Sequence, residues 1–258
     1  MIRRHAITVS TSRADDAAYR ALNDVATATT HLDDARIVGG QMVGLLVTAF
    51  PTAAAIIRRT ADADAAVSAQ VAASGALHFA FTRAGYEPSS GNRYERDDGR
   101  AIDVLVPSET RFRHVELGGR GFDAVPGLRL ILAADPIVLD VDVTLTDDSR
   151  LRFTVKVPTV EHALVLKALT VRSRNAPKDL VDVHNLLQIA YLYEADDLGG
   201  WRIDEPERSG ARGDAQFVLH ELAGTAHRSP IVNRSGVRPE VLVALIRAKV
   251  GQPRKGPT

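Results

Sequence analysis

The sequence predicts a mixed α/β or α+β fold, with a small mixed sheet flanked by helices and a helical C-terminal part after it. Three observations predict it. Through the first 157 residues, short apolar runs of strand length alternate with segments of helical period. From residue 159 onward the helical period stands alone. Finally, 258 residues, 45% hydrophobic and 25% charged, have the composition of an ordinary globular protein and suffice to bury a core without staples. The expected division is an α/β domain over 1–157 and a mostly helical domain over 158–258.

Taken in order, residues 14–30 (ADDAAYRALNDVATATT) set Ala, Tyr, Leu and Val at helical spacing. ARIVGG is an apolar run stopped by two glycines, a strand entering a tight turn. QMVGLLVTAF is the helix leaving that turn, ended by Pro51. RRTADADAAV leads from a loop into a second strand. Residues 67–85 read as one helical stretch closed at Gly85. The polar segment 87–100 is expected to be a loop, AIDVLVP a strand, and 108–127 irregular and glycine-rich. LRLILAA, IVLDVDVTL and LRFTVKVP are three further expected strands. VEHALVLKALTVRSR, PKDLVDVHNLLQIAYLYEADD and, roughly, 214–227 and 237–250 are expected helices, with a fraying tail over 251–258.

Composition excludes several functions. There is no cysteine, hence no disulfide framework, thiolate metal site or cysteine nucleophile. Lys+Arg and Asp+Glu are both 32, which disfavours a globally basic nucleic-acid binder but leaves a local basic patch open. No apolar run approaches the roughly 18 residues of a membrane span, and the N-terminus lacks a signal-peptide core. The expectation is a cytoplasmic protein with no membrane partner.

Two constellations carry chemistry. The first is Gly39-Gly40, Asp62-x-Asp64 and Asp103. Glycines between a strand and a helix let backbone N–H groups and the helix dipole face a phosphate, although a Gly-Gly is more often only a turn. On a strand, Asp62 and Asp64 share a face and can share a divalent cation; a solvated turn is the plain alternative. Asp103 sits in a strand apolar on both faces, where an ionised carboxylate is costly unless paired or metal-bound. Asp140 and Asp142 have the same spacing as Asp62 and Asp64, and period-two alternation would also make them the outward face of an antiparallel strand. The second constellation is Lys167 with Lys178, Asp179 and Asp182. Lys167 shares the apolar face of its helix, where lysine is unusual, unless it snorkels from the stripe edge. Lys178 and Asp182 stand at i,i+4, and with Pro177 and Asp179 they also suit an ordinary helix start.

In order, these pieces resemble the nucleotidyltransferase fold of the DNA polymerase β superfamily, in the branch of AbiEii/AbiGii-type toxins, the MenT toxins and small antibiotic nucleotidyltransferases. The matching stretches are IVGGQMVGLL, RRTADADAAV, GRAIDVLVP and LKALTVRSRNAPKDLVDVHNLL, covering 37–187. The stretch from Gly40 to Asp62 is longer than the family's usual spacing, and Ala63 and Ala65 stand where larger apolar residues are usual. The resemblance selects Asp62 and Asp64 over Asp140 and Asp142. It implies Mg²⁺-dependent transfer of a nucleotide from an NTP to an acceptor hydroxyl, with Asp62, Asp64 and Asp103 as catalytic metal ligands. Gly39 and Gly40 would cradle phosphate. Lys167 would neutralise triphosphate charge, Asp179 would orient it or the nucleotide, and Lys178 and Asp182 complete the motif. Arg58 and Arg59 are candidate contacts to nucleotide or RNA phosphates, with a solvated turn as the alternative. The implied acceptor is the 3′ end of tRNA, in a toxin–antitoxin system with a cognate antitoxin. The alternatives are a small-molecule (antibiotic) nucleotidyltransferase and a catalytically inactive nucleotide-binding relative.

Overall fold

The computed structural model describes residues 1–174, 176–206 and 209–253. Asn175, inside one of the motif stretches, and 254–258 of the expected fraying tail lie outside the described residues. The fold is mixed α/β, as expected. The chain forms two compact units: Met1–Ala49 with Ile57–Pro158, and Phe50–Ile56 with Thr159–Thr258. The sequence reading also places a boundary at Pro158, but it assigns 50–56 to the first domain. Among the described residues, no helix is long and apolar enough to cross a membrane.

In the first unit, β1 (Ile2–Val9) pairs in parallel with β9 (Ile137–Thr144), which pairs antiparallel with β10 (Arg150–Val157). The sequence does not mark β1, because Arg3, His5, Ile7 and Val9 are exposed and only Ala6 is fully buried along it. Asp140 and Asp142 lie on the solvent-facing side of β9. Arg3 Nε and Nη2 donate to Asp140 at 2.6 and 2.7 Å, and Arg152 Nε to Asp142 at 2.9 Å. The alternation alone accounts for this pair.

The second sheet has seven strands: β2 (Ala35–Val38), β3 (Ala63–Val67), β4 (Glu87–Ser90), β5 (Arg93–Glu95), β6 (Ala101–Ser108), β7 (Arg113–Leu117) and β8 (Arg120–Pro126). β2 runs antiparallel to β3, and β3 parallel to β6. The far edge of β6 is shared: β5 pairs with its first residues and β8 with its last. Ala63, Ala65 and Ala66 are essentially fully buried, with α1 (Arg13–Thr29), α2 (Gly39–Ala49) and α5 (Leu128–Ala133) all touching β3. Small side chains suit a strand so closely covered. α1 starts where Ser12 accepts from the Asp15 N–H at 3.1 Å, an ordinary N-cap.

Four expectations are corrected. The expected loop 87–100 contains the β4–β5 hairpin, whose outer strand is wholly exposed and so carries no apolar alternation. The expected irregular stretch 108–127 is mostly the β7–β8 hairpin. Its two-residue turn is Gly118-Gly119, both at positive φ, which matches the twist of the flanking strands. LRLILAA is not a strand but α5: Leu128 and Ile131, three apart, are buried together, and its Leu, Arg and Ala are good helix formers. The stretch 67–85 ends β3 and then divides into α3 (Ala69–Ala73) and α4 (Ala76–Arg83), because Gly75 at φ 73 interrupts it. Gly85, at φ 83, does close the second piece.

The second unit contains α6 (Val160–Arg174), α7 (Pro177–Leu192), α8 (Gly210–Thr225), α9 (Pro230–Ser235) and α10 (Pro239–Lys249). Glu161 joins its parts: it accepts from Arg212 Nε at 2.6 Å and from the backbone N–H of Ile203 at 2.9 Å.

Candidate active site

β2 passes into α2 with no intervening residue, which requires Gly39 to take a left-handed φ of 68. A Cβ on Gly39 would lie 2.9 Å from Asp64 Cβ and would overlap the Asp64 carboxylate. Conformation and close approach therefore independently demand glycine here. The Asp64 carboxylate is seated against the first residue of α2, where the helix dipole favours negative charge. At Gly40 a Cβ would come within 2.8 and 3.0 Å of the Arg58 guanidinium nitrogens. The helix opening thus meets a carboxylate at one glycine and a guanidinium at the next.

Strand register assembles the rest. Val38 pairs with Asp64, Asp64 with Asp103, and Asp103 with Arg93, one row across β2, β3, β6 and β5. Neighbouring strands are about 4.8 Å apart, so Asp64 and Asp103 stand side by side. Asp62 lies one residue before β3 and accepts from Thr60 Oγ1 at 2.8 Å. Arg93 closes the row. Its Nη1 donates to Asp103 at 2.9 Å and lies 3.8 Å from Asp62, while its Nε donates to Glu95 at 2.7 Å.

Asp103 is not buried on both faces. Ile102, Val104 and Val106 are fully covered, whereas Asp103, Leu105 and Pro107 line a half-open face. Its carboxyl is still pushed above the ordinary range, first by burial. Arg93 opposes the shift, and the negative charges of Asp62 and Asp123 reinforce it. The Arg93 guanidinium is held protonated more firmly than usual, chiefly by its hydrogen bond to Glu95.

Arg59 is placed differently from Arg58. Its guanidinium donates to Tyr19 Oη at 3.1 Å and lies 3.5 Å from Asp15. In the second unit, Lys167 on α6 is buried, with its Nζ 2.7 Å from Asp182 and 3.7 Å from Asp179 on α7. It does not snorkel to water. Lys178 is exposed, whereas Asp182 is completely buried. A separate cavity of about 390 Å³ in the first unit, between α1 and β10, is lined by Thr27, Thr30, Thr154 and Lys156 among others and holds none of the predicted site residues.

No protein-family model matches this chain, and no curated protein is significantly similar to it.

The donor chemistry of the row fits a hard divalent cation, which takes carboxylate oxygens. A cationic group, Arg93 Nη1, already lies near both Asp62 and Asp103. As the side chains stand, no group of three His, Cys, Asp or Glu among the described residues converges on one point. Arg93 is the site residue that sequence reasoning missed. No period marks it, since β5 is only three residues long, with Tyr94 buried between Arg93 and Glu95.

Proposed function

We propose that the chain transfers a nucleotide from an NTP to an acceptor hydroxyl. A bond forms between the acceptor oxygen and the α-phosphorus, the bond from the α-phosphorus to the bridging oxygen of the β-phosphate breaks, and pyrophosphate leaves. The observation that carries this reading is the junction of a Gly-Gly helix start with a carboxylate row, Asp64 beside Asp103, at one place in the first unit.

Gly39, Gly40 and Arg58 are suited to the triphosphate, through helix N–H groups and one guanidinium. Asp62, Asp64 and Asp103 would hold Mg²⁺, which when bound supplies positive charge to the triphosphate. Asp103 would activate the acceptor hydroxyl, taking its proton as base or acting through a second metal. The resemblance makes RNA, and the tRNA 3′ end in particular, the proposed acceptor, with the chain acting as a toxin held by a cognate antitoxin. Residues 50–56, which group with the second unit, account for part of the long Gly40–Asp62 spacing, and β3 still pairs with β2.

The inactive-relative reading has one observation in its favour: Arg93 already compensates two of the three carboxylates. Incubation with each labelled NTP, Mg²⁺ and total tRNA tests both readings. Wild type should label tRNA. Asp62→Ala and Asp64→Ala should lose the signal by at least about 100-fold, on the order of 3 kcal/mol at 1.36 per decade, while Asp140→Ala and Asp142→Ala keep it. Retained nucleotide binding without pyrophosphate release would establish the inactive relative instead.

A further inference from the structure

We propose that Arg93 is the resting counter-cation of the carboxylate row, and that a divalent cation binds there by displacing its guanidinium onto Glu95. The inference rests on the reading of the row as a cation site. It adds a built-in competitor to that site.

Register places Arg93 in the row. It is the β5 partner of Asp103 and thus shares a row with Asp64, two positions removed. The side chain divides its donors. Nη1 faces Asp103 at 2.9 Å and Asp62 at 3.8 Å, whereas Nε is engaged with Glu95 at 2.7 Å. Asp103 and Asp62 repel each other, so without a bound metal the row needs another positive charge. A guanidinium is a planar fork with five donors, able to keep one carboxylate through Nε while releasing another from Nη1. Glu95 is the more exposed of the partners and lies on the same strand, so it retains Arg93 when Nη1 lets go. A lysine at position 93, a single point charge, could not divide itself in this way.

The physical consequence is a lowered apparent cation affinity. A site that is open only a fraction f of the time binds with its intrinsic Kd divided by f. If the Arg93-closed arrangement outweighs the open one about ten to one, removing Arg93 tightens binding about tenfold.

The test is Mn²⁺ binding to the full chain without nucleotide, followed by the electron paramagnetic resonance of free Mn²⁺ and by the rise in melting temperature. Arg93→Gln should bind at least about tenfold more tightly than wild type and gain more melting temperature from Mn²⁺. Glu95→Gln, which removes the alternative partner, should bind more weakly. Arg96→Gln removes one positive charge from the same hairpin, where Arg96 pairs with Asp98, and should leave affinity unchanged. Should Arg93→Gln fail to fold, Arg93→Lys replaces it, with an affinity between wild type and the tenfold gain. Equal affinity of Arg93→Gln and wild type overturns the proposal, and so does equal tightening by Arg93→Gln and Arg96→Gln, which would be a mere field effect. No Mn²⁺ binding by any of them overturns it together with the metal part of the proposed function. Transfer activity in wild type with unchanged Mn²⁺ affinity in Arg93→Gln overturns this inference alone.

Discussion

Asp103 holds its charge in a half-buried position beside Arg93 and like-charged Asp62, and burial dominates, raising its proton affinity. The sign of the pH dependence follows. A carboxyl bound to its proton more tightly in the folded chain stabilises the fold below its ordinary pKa, about 3.9, and that contribution is lost as pH rises through the higher folded value. Asp103→Asn should therefore match or exceed wild type in urea midpoint at pH 7, with the gap closing near pH 4, while transfer activity is lost. Strong destabilisation at pH 7 would make Asp103 a structural hydrogen-bonding residue. Lys167 obeys the opposite logic. Its ammonium is buried against Asp182, so Lys167→Met leaves a buried carboxylate without that partner and should cost about 3–5 kcal/mol. Lys167→Met with Asp182→Leu should recover most of the loss in urea denaturation. A lysine serving only nucleotide would show no such stability loss.

At the scale of elements, the strand-to-helix passage at Gly39 decides whether the row exists. Gly39→Ala adds a left-handed alanine, worth about 1 kcal/mol, and a collision with the Asp64 side chain. The total should exceed about 2 kcal/mol, the size expected of overpacking. Asp64→Ala removes the carboxylate but leaves its Cβ 2.9 Å away, so the double variant should be more stable than the sum of the two single losses predicts. Additive urea midpoints would show that the two residues are not in contact. The same scale explains what the sequence hid. β4 and β1 are edge strands with largely exposed side chains, so neither shows a buried stripe. β5 is three residues long, too short for any period to emerge.

At the scale of the molecule, residues 50–56 leave the first unit and belong to the second. There Asn185 accepts from the Ile56 N–H and donates to its C=O, both at 2.9 Å, and Tyr193 Oη donates to the Pro51 C=O at 3.1 Å. Phe50, fully buried, meets Tyr193 edge-to-face. Asn185→Ala should strand both backbone groups of Ile56 at a cost of about 1–3 kcal/mol. Amide hydrogen exchange at 50–56 should accelerate before that of β3. Unchanged protection would mean that Asn185 does not anchor the segment. A chain cut at Pro158 should expose the same segment to protease, since its partners on α7 are gone.

By itself the sequence determined the α/β character, the β2–α2 passage through Gly39 and the strands bearing Asp64 and Asp103. These follow from local rules, namely the period of buried residues and the conformational freedom of glycine. Only the tertiary structure decided that Arg93 completes the row, that Lys167 is buried against Asp182, and that 50–56 belongs with the helices. Each of these depends on which distant residue lies opposite. Register across β6 brings Arg93 to Asp103, ten residues on, and the packing of α6 on α7 brings Lys167 to Asp182. No local spacing encodes a partner supplied by another element, so charge pairing and burial at these positions emerge only once the sheet and the helix pair have formed.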